Sequence, residues 1–160
     1  MKRTHAPRIA QAALLCLAAL IGAALPSPAR AWQAGGHLGV GLDSGSLHLG
    51  GDLLFPIVRA SASVQLSIWP SAAFIITDGP EGLLLGCDFP FEFRIADSIV
   101  LPFVGPGLGV SIFDEHAQLK LNVIGGLFID AGAVRPFVEL ALRFINGTYV
   151  DLLAGVVVEL

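Results

Sequence analysis

Ser46 and His48 stand two residues apart, the spacing that puts side chains on one face of an extended strand. A hydroxyl beside an imidazole is the pairing from which a serine nucleophile and its general base are made. His37 and Asp52 offer a second combination, imidazole with carboxylate, which becomes a hydrolytic site only with a nucleophile at a solvent-reachable rim and is otherwise an interior ion pair. Asp88, Glu92, Arg94, Lys120, Glu139, Arg143 and Asp151 are charged residues set among apolar neighbours. Such a set could line a conduction path, bind a polar ligand or neutralise itself. Cys87 falls among apolar positions and reads as a buried, inert thiol. Asn146-Gly147-Thr148 fits a glycosylation acceptor, for which a turn is sufficient explanation.

Strands must position these groups. From residue 83 to 95 every odd position is apolar (Leu83, Leu85, Cys87, Phe89, Phe91, Phe93, Ile95), while the even ones include Gly86, Asp88, Glu92 and Arg94. The same period of two runs through residues 60–68, 138–144 and 150–160. Turn signals separate the runs: Asp43-Ser44-Gly45, residues 56–59, Asp78-Gly79-Pro80, Asp97-Ser98, Asp114-Glu115, residues 130–132 and Asn146-Gly147. Seven turns predict eight strands, over residues 34–43, 46–55, 59–76, 82–96, 99–113, 117–129, 134–145 and 148–160. The fold class is therefore all-β, a closed up-and-down antiparallel barrel in which the first strand pairs with the last.

The N-terminus carries Lys2, Arg3 and Arg8, an apolar run over residues 12–25, and the small-residue site Ala29-Arg30-Ala31, the three parts of a secretory signal peptide. The expected domains are a signal peptide, residues 1–31, cut after Ala31, and a barrel, residues 32–160. Leu14 and Leu15 before Cys16 speak against lipidation. Removal of the signal leaves five basic against 13 acidic side chains, a net charge of −8 with no footprint for nucleic acid. It also leaves one cysteine and three scattered histidines (His37, His48, His116), which match no structural zinc spacing, so no metal or other cofactor is expected.

Charge placement decides which face meets what. Of 18 charges after residue 31, nine (Asp43, Arg59, Asp78, Glu81, Asp97, Asp114, Glu115, Asp130, Arg135) fall in or beside turns. Nine remain for the strands: Asp52, Asp88, Glu92, Arg94, Lys120, Glu139, Arg143, Asp151 and Glu159. That is too sparse for the outside of a soluble barrel, whose surface is about a quarter to a third charged. It suits a narrow eight-stranded lumen that side chains fill, with the Leu, Val and Phe face turned to lipid. The expected lumen network is His37, Asp52, Asp88, Glu92, Arg94, Glu139, Arg143 and Asp151, a structural role.

Phase also sets hairpin registers. A two-residue Ser44-Gly45 turn sets Leu42 opposite Leu47 and His37 opposite Asp52, and a three-residue loop at 146–148 sets Arg143 opposite Asp151. Gly105-Pro106-Gly107 reads as a bulge, leaving the inward phase of the fifth strand open. Tyr149, Trp32 and Trp69 are the available interfacial aromatics.

The Gly-rich run Gly35-Gly36-His37-Leu38-Gly39-Val40-Gly41, the segment Pro102-Phe103-Val104-Gly105-Pro106-Gly107-Leu108-Gly109-Val110 and Arg135-Pro136-Phe137-Val138-Glu139-Leu140 resemble the small eight-stranded outer-membrane barrels, the group with the OmpA membrane domain and OmpX-like proteins. The resemblance implies an exported protein of a Gram-negative outer membrane, a monomer whose partners are membrane lipid and the outer-membrane assembly machinery. That machinery reads a terminal aromatic residue in such barrels, where this sequence has Leu160. The motifs identify an architecture rather than an activity. Outer-membrane enzymes that cleave lipid A also resemble this architecture and carry a His and a Ser on one strand near the outer leaflet, as Ser46 and His48 do here. With the N-terminus in the periplasm the outer loops (43–45, 77–82, 114–117, 146–148) are too short for a ligand-binding excursion. The expected function is a non-enzymatic, structural outer-membrane barrel. The alternatives are a periplasmic barrel with an apolar ligand inside and a lipid-modifying hydrolase.

Overall fold

The computed structural model describes residues 32–79, 81–113, 116–144 and 147–160. The expected signal peptide, residues 1–31, lies outside the described residues, as do Pro80, Asp114, Glu115 and Asn146 of the expected turns. Among the described residues there are nine strand segments: β1 (Gln33–Gly41), β2 (Leu47–Arg59), β3 (Val64–Ile76), β4 (Gly82–Asp88), β5 (Phe91–Phe93), β6 (Val100–Phe113), β7 (His116–Ile129), β8 (Val134–Phe144) and β9 (Thr148–Glu159). Segments β4 and β5 are halves of one barrel strand. Asp88 stands opposite Gly107 and Phe91 opposite Val104 of β6, one unbroken register. Pro90, which has no N–H to donate, interrupts the ladder, while Phe89 N still donates to Pro106 O at 2.9 Å.

Each strand pairs antiparallel with its neighbours in sequence, and β1 pairs with β9 from Gln33–Glu159 to Gly41–Asp151. The result is a closed eight-stranded up-and-down barrel. Closure leaves no row of unpaired backbone groups at an edge.

Three details differ from the sequence reading. Residues 56–59 are not a turn: β2 continues to Arg59 and the chain reverses at 60–63, where Ser61 N donates to Val64 O at 3.2 Å. A bulge between Pro56 and Val58 absorbs the extra residue, which accommodates a proline inside the strand. The second difference is at residues 105–107, which form no bulge, since β6 pairs with β7 residue by residue from Val100–Ile129 to Phe113–His116. Leu101, Phe103, Gly105, Gly107, Gly109 and Ser111 are the buried phase of this strand. Glycine is needed there for space: a methyl group on Gly107 would overlap the Asp88 carboxylate, and one on Gly105 would overlap the Phe89 carbonyl.

The third difference is the hairpin registers. Gly41 N donates to Ser46 O and Gly45 N to Gly41 O, both at 2.8 Å, closing a four-residue loop over 42–45 with Gly45 at φ 66°. Val40 therefore faces Leu47 and His37 faces Gly50, two residues from the expected register. At the last hairpin Phe144 pairs with Thr148 and Arg143 faces Tyr149, again two residues from the expected register, which set Arg143 opposite Asp151. A shift of two preserves which face each side chain occupies.

The lumen is filled in layers. Towards the turns at 60–63, 94–99 and 130–133 lies an apolar cluster of Leu54, Trp69, Leu101, Phe103, Ile124, Phe128, Phe137, Leu153 and Val157. Its rings are packed at centroid distances of 4.7 to 5.7 Å. Trp69 is thus an interior residue rather than an interfacial one. Nearer the opposite end Ala73, Ile75 and Leu84 pack with Phe113. A polar layer separates the two.

Candidate functional site

Asp52 on β2 joins the polar layer to the aromatic cluster. Its carboxylate pairs with His37 Nδ1 at 2.6 Å and accepts a hydrogen bond from Trp69 Nε1 at 3.1 Å. The strict register sets Asp52 opposite Gly35 and His37 opposite Gly50. The contact runs diagonally, over a glycine that leaves room for the imidazole: a methyl group on Gly50 would strike the His37 ring at 2.5 Å. Asp88 accepts from Asn122 Nδ2 of β7. Arg143 Nε of β8 donates to Asp151 Oδ2 of β9, again along a diagonal. Glu139 is buried beside them and lines, with His37, Asp52, Asp88 and Arg143, a cavity of about 20 Å³, the size of roughly one water.

Glu92 belongs to a separate clamp. It accepts from Ser67 Oγ at 2.9 Å and pairs with Arg135 Nη2 at 2.7 Å. Arg135 also donates through Nη1 to Gln33 Oε1 at 3.1 Å, and its guanidinium lies 4.3 Å from the centroid of the Phe128 ring.

Arg94 requires a correction. It was expected in the lumen as a neighbour of Glu92, but β5 ends at Phe93 and the alternation ends with it. Arg94 is half exposed and lies 3.9 Å from Asp130 at the barrel's end. The cation of Glu92 is Arg135, counted above among the charges in or beside turns. Its phase was the available signal, for Arg135, Phe137, Glu139, Ala141 and Arg143 are all buried in β8. Ser67, Trp69, Gln33 and Asn122 also lie outside the expected set; as neutral side chains they carry no charge for a charge-based reading to find.

The structure brings Ser46 and His48 together at the loop end, with Oγ and Nε2 3.0 Å apart. Both are buried. Asp151 Oδ1 lies 3.9 Å from the same Nε2, whereas His48 Nδ1 has no hydrogen-bond partner among the described residues. A carboxylate that orients a catalytic imidazole binds the nitrogen away from the nucleophile, and here that nitrogen is the unpartnered one. Above these groups a cavity of about 200 Å³ opens between the loops, bounded by Ser46, His48, Arg143 and Asp151 below and by Ser44, Gln118 and Tyr149 at its rim.

No protein-family model and no curated protein matches this sequence. Solved structures do share its fold. The N-terminal β-barrel domain of Pseudomonas aeruginosa OprF superposes with a TM-score of 0.59 at 13% identity, over 81% of this chain and 97% of that one. Neisserial surface protein A gives 0.57 at 13% identity, covering 81% and 94%. The outer membrane enzyme PagL gives 0.56 at 13% identity, covering 80% and 99%. The chain thus has the fold of the small eight-stranded outer-membrane β-barrels.

Proposed function

We propose that the protein is an outer-membrane barrel with a structural role, held in lipid by its outer surface and sealed along its axis by the lumen network and the aromatic cluster. The observation that carries this reading is the composition of the outer surface. Leu38, Leu49, Phe74, Val104, Leu121, Val138 and Leu140, spread over β1, β2, β3, β6, β7 and β8, are all at least 40% exposed, while His37, Asp52, Asp88, Glu139, Arg143 and Asp151 are buried on the opposite phase. Soluble monomers rarely leave contiguous apolar patches larger than a few hundred Å². The arrangement suits a surface facing hydrocarbon, where a charged side chain is costly and closure is required.

On this reading residues 1–31 are an export signal cut after Ala31, and membrane lipid and the assembly machinery are the partners. The Ser46–His48 contact favours a hydrolase as a second reading, as does a fold shared with an outer membrane enzyme. The unpartnered Nδ1 of His48 tells against it. Expression in a Gram-negative host followed by fractionation tests the main reading. The expected product sits in the outer-membrane pellet with Trp32 as its first residue, and recovery in the soluble periplasm would overturn it. Loss of ester hydrolysis in a His48→Ala variant would establish the second reading.

A further inference from the structure

The cavity at the loop end has two unlike walls. Ile75, Leu84 and Phe113, from β3, β4 and β6, form an apolar side. Facing it are Lys120 of β7 and Tyr149 of β9, with Ser44 and Ser46 alongside. The lysine nitrogen lies 5.5 Å from the centroid of the Tyr149 ring. Asp151, the carboxylate that lines the cavity, is held by Arg143. Among the described residues no carboxylate comes within 4.0 Å of the Lys120 ammonium, since none of the ion pairs there includes it. Asp151 and Asp43 act on it only from beyond contact distance, so among the described residues the half-buried ammonium enters the cavity without a carboxylate in contact with it. Beneath it the lumen is closed by the Arg143–Asp151 pair and then by the aromatic cluster, so the cavity is a blind cup.

We propose that this cup binds a small amphiphilic monocarboxylate, with the carboxylate on Lys120 and a short alkyl chain against Ile75, Leu84 and Phe113. The volume sets the size: 200 Å³ is the space of about seven waters, below the range of pockets that take drug-sized ligands. The carboxylate gains a charge-assisted contact and the hydroxyl of Tyr149 as a donor, the Ser46 hydroxyl being engaged with His48 and Ser44. The alkyl chain covers apolar surface that otherwise faces water at the mouth. A free anion lacks the second contribution and a neutral amphiphile lacks the first.

The inference concerns the cup alone and not what the outer surface faces: co-elution of the barrel with the nanodiscs reports on the membrane reading and ligand binding on the inference, and a barrel that stays outside the discs is assayed free in solution, so the two failures are separable. The test is saturation-transfer NMR on the purified barrel in phosphatidylcholine nanodiscs, with empty nanodiscs as blank and hexanoate, hexanol and acetate as probes. Hexanoate is expected to bind with a Kd of roughly 1 mM, and hexanol and acetate about tenfold more weakly. Lys120→Gln is expected to reduce hexanoate binding about tenfold, to the level of hexanol, and Lys120→Arg to retain it. Ile75→Phe narrows the apolar wall without touching the lysine and is expected to exclude the chain, so a poorly folding Lys120 variant leaves the idea testable. Equal binding of hexanoate and hexanol, unchanged binding in Lys120→Gln, or no saturation transfer to hexanoate at all would overturn the proposal.

Discussion

Arg143 and Asp151 are bonded across a diagonal of the last hairpin: Arg143 faces Tyr149, Asp151 faces Ala141, and the guanidinium spans the offset to reach the carboxylate. Both groups are buried. Removing one partner leaves a lone charge in the lumen, a loss of about 3 to 5 kcal/mol, whereas replacing the pair with apolar side chains costs much less. Arg143→Leu, Asp151→Ala and the double variant are therefore expected to be strongly non-additive in urea unfolding from lipid vesicles. Strict additivity would mean that the two charges do not depend on each other.

The clamp of Glu92 and Arg135 gives a sharper comparison. Arg135→Met removes the ion pair, the bond to Gln33 and the guanidinium above Phe128. A loss of about 3 to 5 kcal/mol is expected. Arg94→Ala breaks only a half-exposed contact with Asp130 and is expected to change stability by less than about 0.5 kcal/mol. Equal losses in the two variants, in the same unfolding assay, would restore Arg94 to the network.

Why Arg94 and Arg135 exchange roles marks the limit of what the sequence makes legible. The barrel, its closure and the inward phase of His37, Asp52, Asp88, Glu139, Arg143 and Asp151 follow from the period of two, a property of the strand itself. Strand ends do not follow from it. Phase predicts a side chain's face only while the strand continues, and β5 stops at Phe93, one residue before Arg94 and short of the expected residue 96. By contrast, β8 begins at Val134 as expected, so Arg135 has the inward phase of Phe137 and Glu139, and only its nearness to the turn sets it among the turn charges. Registers fail for a related reason. A shift of two residues leaves every face unchanged, so the apolar pattern fits either choice, and the backbone bonds of Gly41 and Gly45 decide. Neutral partners such as Trp69 and Asn122 become legible only once the strands are superposed.

Trp69 ties the polar layer to the aromatic cluster, which makes its indole N–H separable from its bulk. Trp69→Phe keeps a ring among Phe103, Phe128 and Phe137 but deprives Asp52 of a donor. A cost of about 1 to 3 kcal/mol is expected for the buried carboxylate left short of one bond. Trp69→Ala adds the cavity and is expected to cost about 3 to 5 kcal/mol. Thermal unfolding of the two variants in one detergent measures the difference, and equal losses would assign the whole effect to the hydrogen bond.

The outer surface supplies the decisive test of the membrane reading. Leu140 lies midway along β8 and is 44% exposed, between the buried Glu139 and Ala141. If this surface faces hydrocarbon, Leu140→Arg places a guanidinium near the bilayer midplane at a cost of about 2 to 4 kcal/mol. If the surface faces water, the same charge is solvated and stability changes by about 0.5 kcal/mol or less. Gln in place of Leu140 removes the apolar side chain without adding charge, which separates the penalty for charge from lost contacts with neighbouring strands. Urea unfolding of the three proteins in vesicles is expected to rank Leu above Gln above Arg, with the larger step at Arg. Near-equal stabilities would turn the barrel's outer surface towards water and leave a soluble, ligand-holding barrel as the better description.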